Sequence, residues 1–150
     1  MEIGDKIPEV LGIDAEGNEI KAADYAGRKL VIYFYPKDNT PGCTAEACSL
    51  AAGHNELLAA GYAVIGVSKD SAASHKKFSE KHSLPFPLIA DTDLTLNKAF
   101  GVWQMKKMCG RECMGTVRTT FLIDEDGRVT DIITKVNTKD AANQILSMVK

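Results

Sequence analysis

Leu30-Val31-Ile32-Tyr33-Phe34-Tyr35 is an unbroken apolar, β-prone run closed by Pro36, and a loop containing Pro41 and Gly42 leads from it to Cys43. Such a run suits a strand buried on both faces, as in a parallel sheet. Ala63-Val64-Ile65-Gly66-Val67 reads the same way. Between the two, Cys43, Ala47, Leu50, His54, Leu57 and Leu58 recur at spacings of one, three or four residues. That pattern predicts one helical face ending near Gly61. The unit is strand, helix, strand.

Upstream, residues 10–14 and 19–21 flank Ala15-Glu16-Gly17-Asn18 and predict a short, peripheral hairpin. Downstream, a second helix is expected over residues 71–82. Pro85 and Pro87 then frame a segment toward Leu88-Ile89, and residues 93–100 add one short helix. After an excursion containing Gly and Cys, residues 119–123 and 128–133 flank Glu125-Asp126-Gly127, a strong hairpin signal. Ala142, Ile145, Leu146 and Val149 mark a closing amphipathic helix. The order βαβα then ββα is that of an α/β, thioredoxin-like fold: a central mixed sheet flanked by helices, with an added N-terminal β-hairpin and an insert before the last hairpin. No repeat, linker or low-complexity tract interrupts the chain, so residues 1–150 are expected to form one domain.

The 150 residues are 45% hydrophobic, enough for a single sizeable core, and carry a net charge of -2 from interspersed acids and bases. No basic field is available for nucleic acid or anionic lipid, and neither partner is expected. No stretch reaches the roughly 18 apolar residues of a spanning helix, and the start of the chain lacks a signal-peptide pattern. The cytoplasm is the expected compartment. Reducing systems there disfavour structural disulfides, so Cys43, Cys48, Cys109 and Cys113 point to catalysis, redox sensing or metal.

Cys43 falls at or just before the first turn of its helix, where unpaired N–H groups and the helix dipole favour an anion. Thr40 can cap that helix with Pro41 at its first position, or Thr44 can cap a slightly later start; both boundaries leave Cys43 at the positive end. Only a thiolate is nucleophilic, and a strand-to-helix junction is an environment that favours it. The competing reading is an ordinary small buried residue, which fits poorly with a loop of Pro and Gly. Arg118 opens the second strand pair at the sheet end where the run 30–35 terminates. It either faces the Cys43 loop or is a solvated charge at a strand end. Cys48 lies five positions on, which in an intact helix separates the two Cα atoms by about 8 to 9 Å. A disulfide spans less than about 7 Å. The pair can bond only if the turn opens, which Gly42 and Thr44 near a helix end would ease; otherwise Cys48 is a packed helix cysteine.

The run from Tyr33 through Pro36, Thr40, Pro41, Gly42, Cys43 and Glu46 to Cys48 closely resembles the active-site segment of the bacterioferritin comigratory protein (Q-type) peroxiredoxins. The similarity continues from Gly4-Asp5-Lys6-Ile7-Pro8 through Phe100-Gly101-Val102-Trp103 to Arg118-Thr119-Thr120-Phe121-Leu122-Ile123-Asp124. The resemblance implies a thiol peroxidase acting on hydrogen peroxide and organic hydroperoxides. Cys43 would attack the peroxide, shielded by Pro36, while the Thr40 hydroxyl bonds the thiolate and the peroxide oxygen. Arg118 would stabilise developing charge, and Glu46 would orient that arginine. Cys48 would capture the sulfenic acid as a disulfide, recycled by thioredoxin or a similar dithiol. No cofactor or metal is implied, and the absence of a long C-terminal extension favours a monomer or weak dimer. Relatives more often carry tyrosines at Cys109 and Cys113. These two are open to a redox pair, a metal site or packed small side chains, the last being favoured.

Rival functions fit less well. A thiol:disulfide oxidoreductase on the same fold usually has two cysteines separated by two residues, absent here. A zinc module is disfavoured by the cysteine spacing and the large core, while a redox sensor would use the same Cys43 and Cys48 and differ only in turnover. His54, His75 and His82 read as surface or packing residues, Asp91 and Asp93 as helix capping, and Trp103 as packing near the site.

Overall fold

The computed structural model describes residues 1–108 and 110–148. Its strands are β1 (Val10–Ile13), β2 (Glu19–Lys21), β3 (Lys29–Phe34), β4 (Tyr62–Ser68), β5 (Leu88–Ala90), β6 (Trp103–Met108), β7 (Arg111–Thr116), β8 (Thr119–Ile123) and β9 (Val129–Ile133). Its α-helices are α1 (Pro41–Ala52), α2 (His54–Ala59), α3 (Ala72–His82), α4 (Thr95–Ala99) and α5 (Ala141–Leu146). In β3, alternate side chains serve two cores, as the pleat requires. Val31 and Tyr33 pack on one face with Leu50, Leu57, Phe78 and Ile145 from the helices. Leu30, Ile32 and Phe34 pack on the other with Leu11, Phe100, Phe121 and Val129. Leu50 is wholly buried, and burying such a side chain contributes about 2 kcal/mol.

The five-stranded sheet has the order β5-β4-β3-β8-β9. β3, β4 and β5 are parallel, while β8 is antiparallel to β3 and to β9, so the sheet is mixed as expected. Phe34 pairs with Thr119, which brings the end of β3 beside the residue that follows Arg118. The β1–β2 hairpin forms at the expected residues, closed by Asp14 Oδ1 accepting from Glu16 and Asn18 N–H. It is not merely peripheral: Asp14 bridges to Ile89 on β5, and Lys6 bridges to Arg128 just ahead of β9.

Three local expectations change. The predicted helical face is interrupted at Gly53 between α1 and α2, and α5 packs so closely there that any side chain at this position would collide with Ala142. Leu58, expected on the buried face, is exposed. The excursion after Val102 is a β6–β7 hairpin standing clear of the sheet, with Met105 opposite Met114 and both exposed. Cys113 on β7 is likewise exposed and not packed, because this hairpin has no core to enter. Cys109 lies outside the described residues, as does the expected helical contact of Val149.

Candidate active site

The loop from Tyr35 to Thr40 joins β3 to α1. Asn39 takes a left-handed turn (φ 62), a conformation Asn tolerates better than most residues, and Thr40 is extended at the N-cap with Pro41 following it. The first helical hydrogen bond runs from Thr44 N–H to Thr40 C=O (2.8 Å), which leaves the Gly42 and Cys43 amides without an intrahelical acceptor. Cys43 is therefore in the first turn and only 1% exposed. Thr40 caps through its backbone alone; its hydroxyl donates to Lys37 C=O (2.8 Å) and not to sulfur. Pro36 is partly buried at the head of the same loop.

Arg118 crosses from the start of β8 to this turn. Its Nη2 donates to Cys43 Sγ (3.3 Å) and its Nη1 to Glu46 Oε1 (2.7 Å). Gly42 makes room for it, since a Cβ at that position would sit 3.1 Å from Nη2. Of the two readings open for Arg118, the structure therefore selects the one facing Cys43. Burial works against the guanidinium charge, but the neighbouring Cys43 and Glu46 outweigh it and raise the Arg118 pKa. Glu46 is almost wholly buried, and its Oε2 and the Tyr33 hydroxyl lack hydrogen-bond partners. Burial pushes the Glu46 carboxyl up to about 7 against the opposing pull of Arg118.

Cys43, Glu46, Arg118 and the Thr40 backbone thus converge, whereas Cys48 stands apart. It is exposed on an unbroken α1, with its Sγ 3.7 Å from His82 Nδ1 at the end of α3. All the described cysteines are free thiols.

Behind the loop lies a buried polar network that the sequence reading missed. Tyr35 Oη donates to Asp38 Oδ1 (2.6 Å) and Ser74 Oγ to Asp38 Oδ2 (2.8 Å), while the Asp38 amide donates to Asp70 (2.8 Å). His75, with no solvent exposure, sets Nδ1 2.8 Å from Asp38 Oδ2 and Nε2 2.9 Å from the Ile89 carbonyl. Both ring nitrogens are therefore engaged by polar partners inside the core, and the ring is held in one orientation. Burial acts to raise the Asp38 pKa, but the bonds from His75, Tyr35 and Ser74 together bring it below the usual carboxylate value. Asp38, Asp70 and His75 cluster closely enough to suggest a metal site. However, both ring nitrogens of His75 already have protein partners, and Asp70 Oδ2 already accepts from Ser68 Oγ as well as the Asp38 amide. The available signal was the spacing of three between His75 and Phe78, which puts both on the core face of α3.

Asp91 and Asp93 are capping residues, as expected. Asp91 accepts from the Leu96 and Asn97 amides and Asp93 from the Thr95 amide. Trp103 is partly buried beneath Lys69 Nζ, 5.7 Å from its ring centroid. A cavity of about 440 Å³ lies at the opposite end of the sheet, against Leu30 and Ile123. Its lining carries no cysteine.

A buried thiol at a helix N-terminus, faced by an arginine on a thioredoxin-like sheet, defines a thiol peroxidase. The AhpC/TSA family model matches residues 3–132. Peroxiredoxin Bcp of Bacillus subtilis is 45% identical over all of this chain and 96% of its own, and Peroxiredoxin Bcp of Escherichia coli is 35% identical over the same shares. Among solved structures, a PrxQ Cys-to-Ser mutant from Xylella fastidiosa superposes with TM-score 0.89 at 34% identity, covering 98% of this chain and 94% of that one. The bacterioferritin comigratory protein of Xanthomonas campestris, described for its alkyl peroxide reduction activity, gives 0.85 at 39% identity over 91% and 87%. The chain belongs to the AhpC/TSA family and, within it, to the Bcp/PrxQ peroxiredoxins.

Proposed function

We propose that Cys43 is the peroxide-reducing cysteine and Cys48 the resolving one, in a single-domain enzyme that works as a monomer or weak dimer in the cytoplasm. The observation that carries this reading is the Arg118 guanidinium, with one nitrogen on Cys43 Sγ and the other on Glu46. The Cys43 thiolate attacks hydrogen peroxide or an alkyl hydroperoxide: an S–O bond forms, the O–O bond breaks, and the leaving oxygen departs protonated as water or alcohol. Arg118 and the free amides of Gly42 and Cys43 face the charge that develops on the oxygens. Thr40 would turn its hydroxyl from Lys37 to the peroxide, Pro36 limits access of water, and Glu46 holds the arginine. Cys48 reaches the sulfenic acid by opening the first turns of α1. Thioredoxin or a similar dithiol then supplies two electrons to restore both thiols.

The test is peroxide consumption coupled to thioredoxin and its reductase. Turnover is expected for the wild type and none for Cys43→Ser, while Cys48→Ser reacts once and accumulates sulfenic acid. Wild-type consumption by Cys43→Ser would overturn the assignment.

A further inference from the structure

We infer that His82 is the proton acceptor for Cys48 in the resolving step, an inference that rests on the reading of Cys48 as the resolving cysteine. Cys48 Sγ lies 3.7 Å from His82 Nδ1, within range of an S–H donor to an unprotonated ring nitrogen. The ring is fixed from behind by its edge contact with Phe78, which is wholly buried, at 5.1 Å between centroids and 70° between planes. Helix α3 ends at His82, and Ser83 turns into a left-handed cap (φ 50), so the imidazole is presented from the terminus and not from within a packed face. His82 is partly exposed and Cys48 exposed, leaving the pair open to solvent for onward proton exchange.

The surroundings leave Cys48 as the ring's reactive neighbour. Helix α1 carries no charged side chain other than Glu46, and that carboxylate is turned to Arg118. On α3 the nearest charged residues in sequence, Glu80 and Lys81, are exposed. On α2, His54 is engaged with Phe86. Imidazole is the side chain whose ordinary titration lies nearest neutral pH, and an adjacent base is one of the recurring ways to activate a thiol.

The step balances with the species already present. While α1 is wound, the Cys48 proton passes to His82 Nδ1; the turn then opens and the Cys48 thiolate attacks Cys43 Sγ. An S–S bond forms, the S–O bond of the sulfenic acid breaks, and hydroxide leaves as water with a proton returned through solvent from the imidazolium. The oxidant is the sulfenic acid made by the peroxide.

The experiment is stopped-flow oxidation of the reduced wild type and of His82→Gln, with the oxidation and resolution phases resolved in the same traces between pH 5.5 and 8.5, and peptide mapping of the products. The expected result is a Cys43–Cys48 bond in both, with resolution slowed relative to oxidation by about tenfold or more near neutral pH. Above the ordinary imidazole range the wild-type resolution rate should level off, whereas that of the variant should keep climbing by about tenfold per pH unit, following the thiolate fraction of an unassisted thiol. An unchanged resolution rate overturns the inference. So does faster resolution, which would make the contact a restraint on helix opening, and so does a slower rate with the wild-type pH dependence, which would make it positional. If mapping finds no Cys43–Cys48 bond in the wild type, the reading of Cys48 itself fails.

Discussion

Replacing Glu46 by Gln tests the electrostatics of the site through stability rather than turnover. The Glu46 carboxyl rises from an ordinary value of 4.5 to about 7 on folding, chiefly because it is buried. Between those two values the unfolded chain has released the proton and the folded protein still holds it, so raising the pH favours unfolding. The contribution of a protonated Glu46 is thus intact below about pH 4.5, falls as pH rises, and is fully lost above about pH 7. At roughly 1.4 kcal/mol per pH unit, the loss amounts to about 3 kcal/mol. Gln keeps the shape of the protonated acid and can still accept from Arg118, but it cannot ionise. Urea unfolding of reduced wild type and Glu46→Gln should give near-equal stabilities at pH 4.5, with the variant the more stable by about 3 kcal/mol at pH 8. Its peroxide oxidation step should nevertheless be slower at pH 8, because Arg118 loses its ionic partner. A stability difference that does not change with pH would refute the argument.

Arg118→Met should slow peroxide oxidation of Cys43 by about 100-fold and leave the fold intact, since Glu46 can then protonate; an unchanged stopped-flow rate constant would remove Arg118 from the chemistry. Asp38→Asn replaces the buried carboxylate shared by Tyr35, Ser74 and His75 and should cost about 1–3 kcal/mol in denaturant melts. Because the Asp38 pKa is lowered on folding, that cost should be present above pH 3.8 and fade as pH falls through the folded value. The double variant Cys109→Ser, Cys113→Ser should keep near-normal thioredoxin-dependent turnover, because local opening of α1 closes a much shorter loop than recruitment of a separate segment. Collapse of turnover in that variant would reassign the resolving step.

The elements with one clear periodicity were legible in advance. β3, β4 and β8 are buried on both faces; β3 and β4 read as continuous apolar runs, and β8 was placed by the hairpin signal at Glu125-Asp126-Gly127. The Cys43 turn was legible because Thr40, Pro41 and Gly42 are punctuation with fixed backbone meanings. β6 and β7 were not, because Gln104, Met105 and residues 111–114 are all exposed, so these stretches carry no alternation to read. The need for glycine at position 53 was hidden for a different reason: the residue that crowds it, Ala142, lies far along the chain. The same holds for Asp38 and His75, whose partnership exists only once the α3 helix is laid beside the β3–α1 loop. Pairings across the fold leave little trace in local spacing; even for Arg118, strand direction offered the contact with Cys43 only as one of two readings.

The short stretch ahead of β2 has a consequence for solubility. Gly4, Asp5 and Ile7 exchange backbone hydrogen bonds with Gly127 and Val129 at the β9 margin, and Asp14 bridges to Ile89 at the β5 margin. One segment therefore occupies part of both open borders of the five-stranded sheet, where unpaired amides and carbonyls would otherwise invite strands from other molecules. Removing residues 1–14 leaves Cys43, Glu46 and Arg118 untouched, yet it bares two sticky margins at once. Its principal expected outcome is self-association into sheet-stacked aggregates, visible by light scattering before any loss of thiol reactivity is recorded.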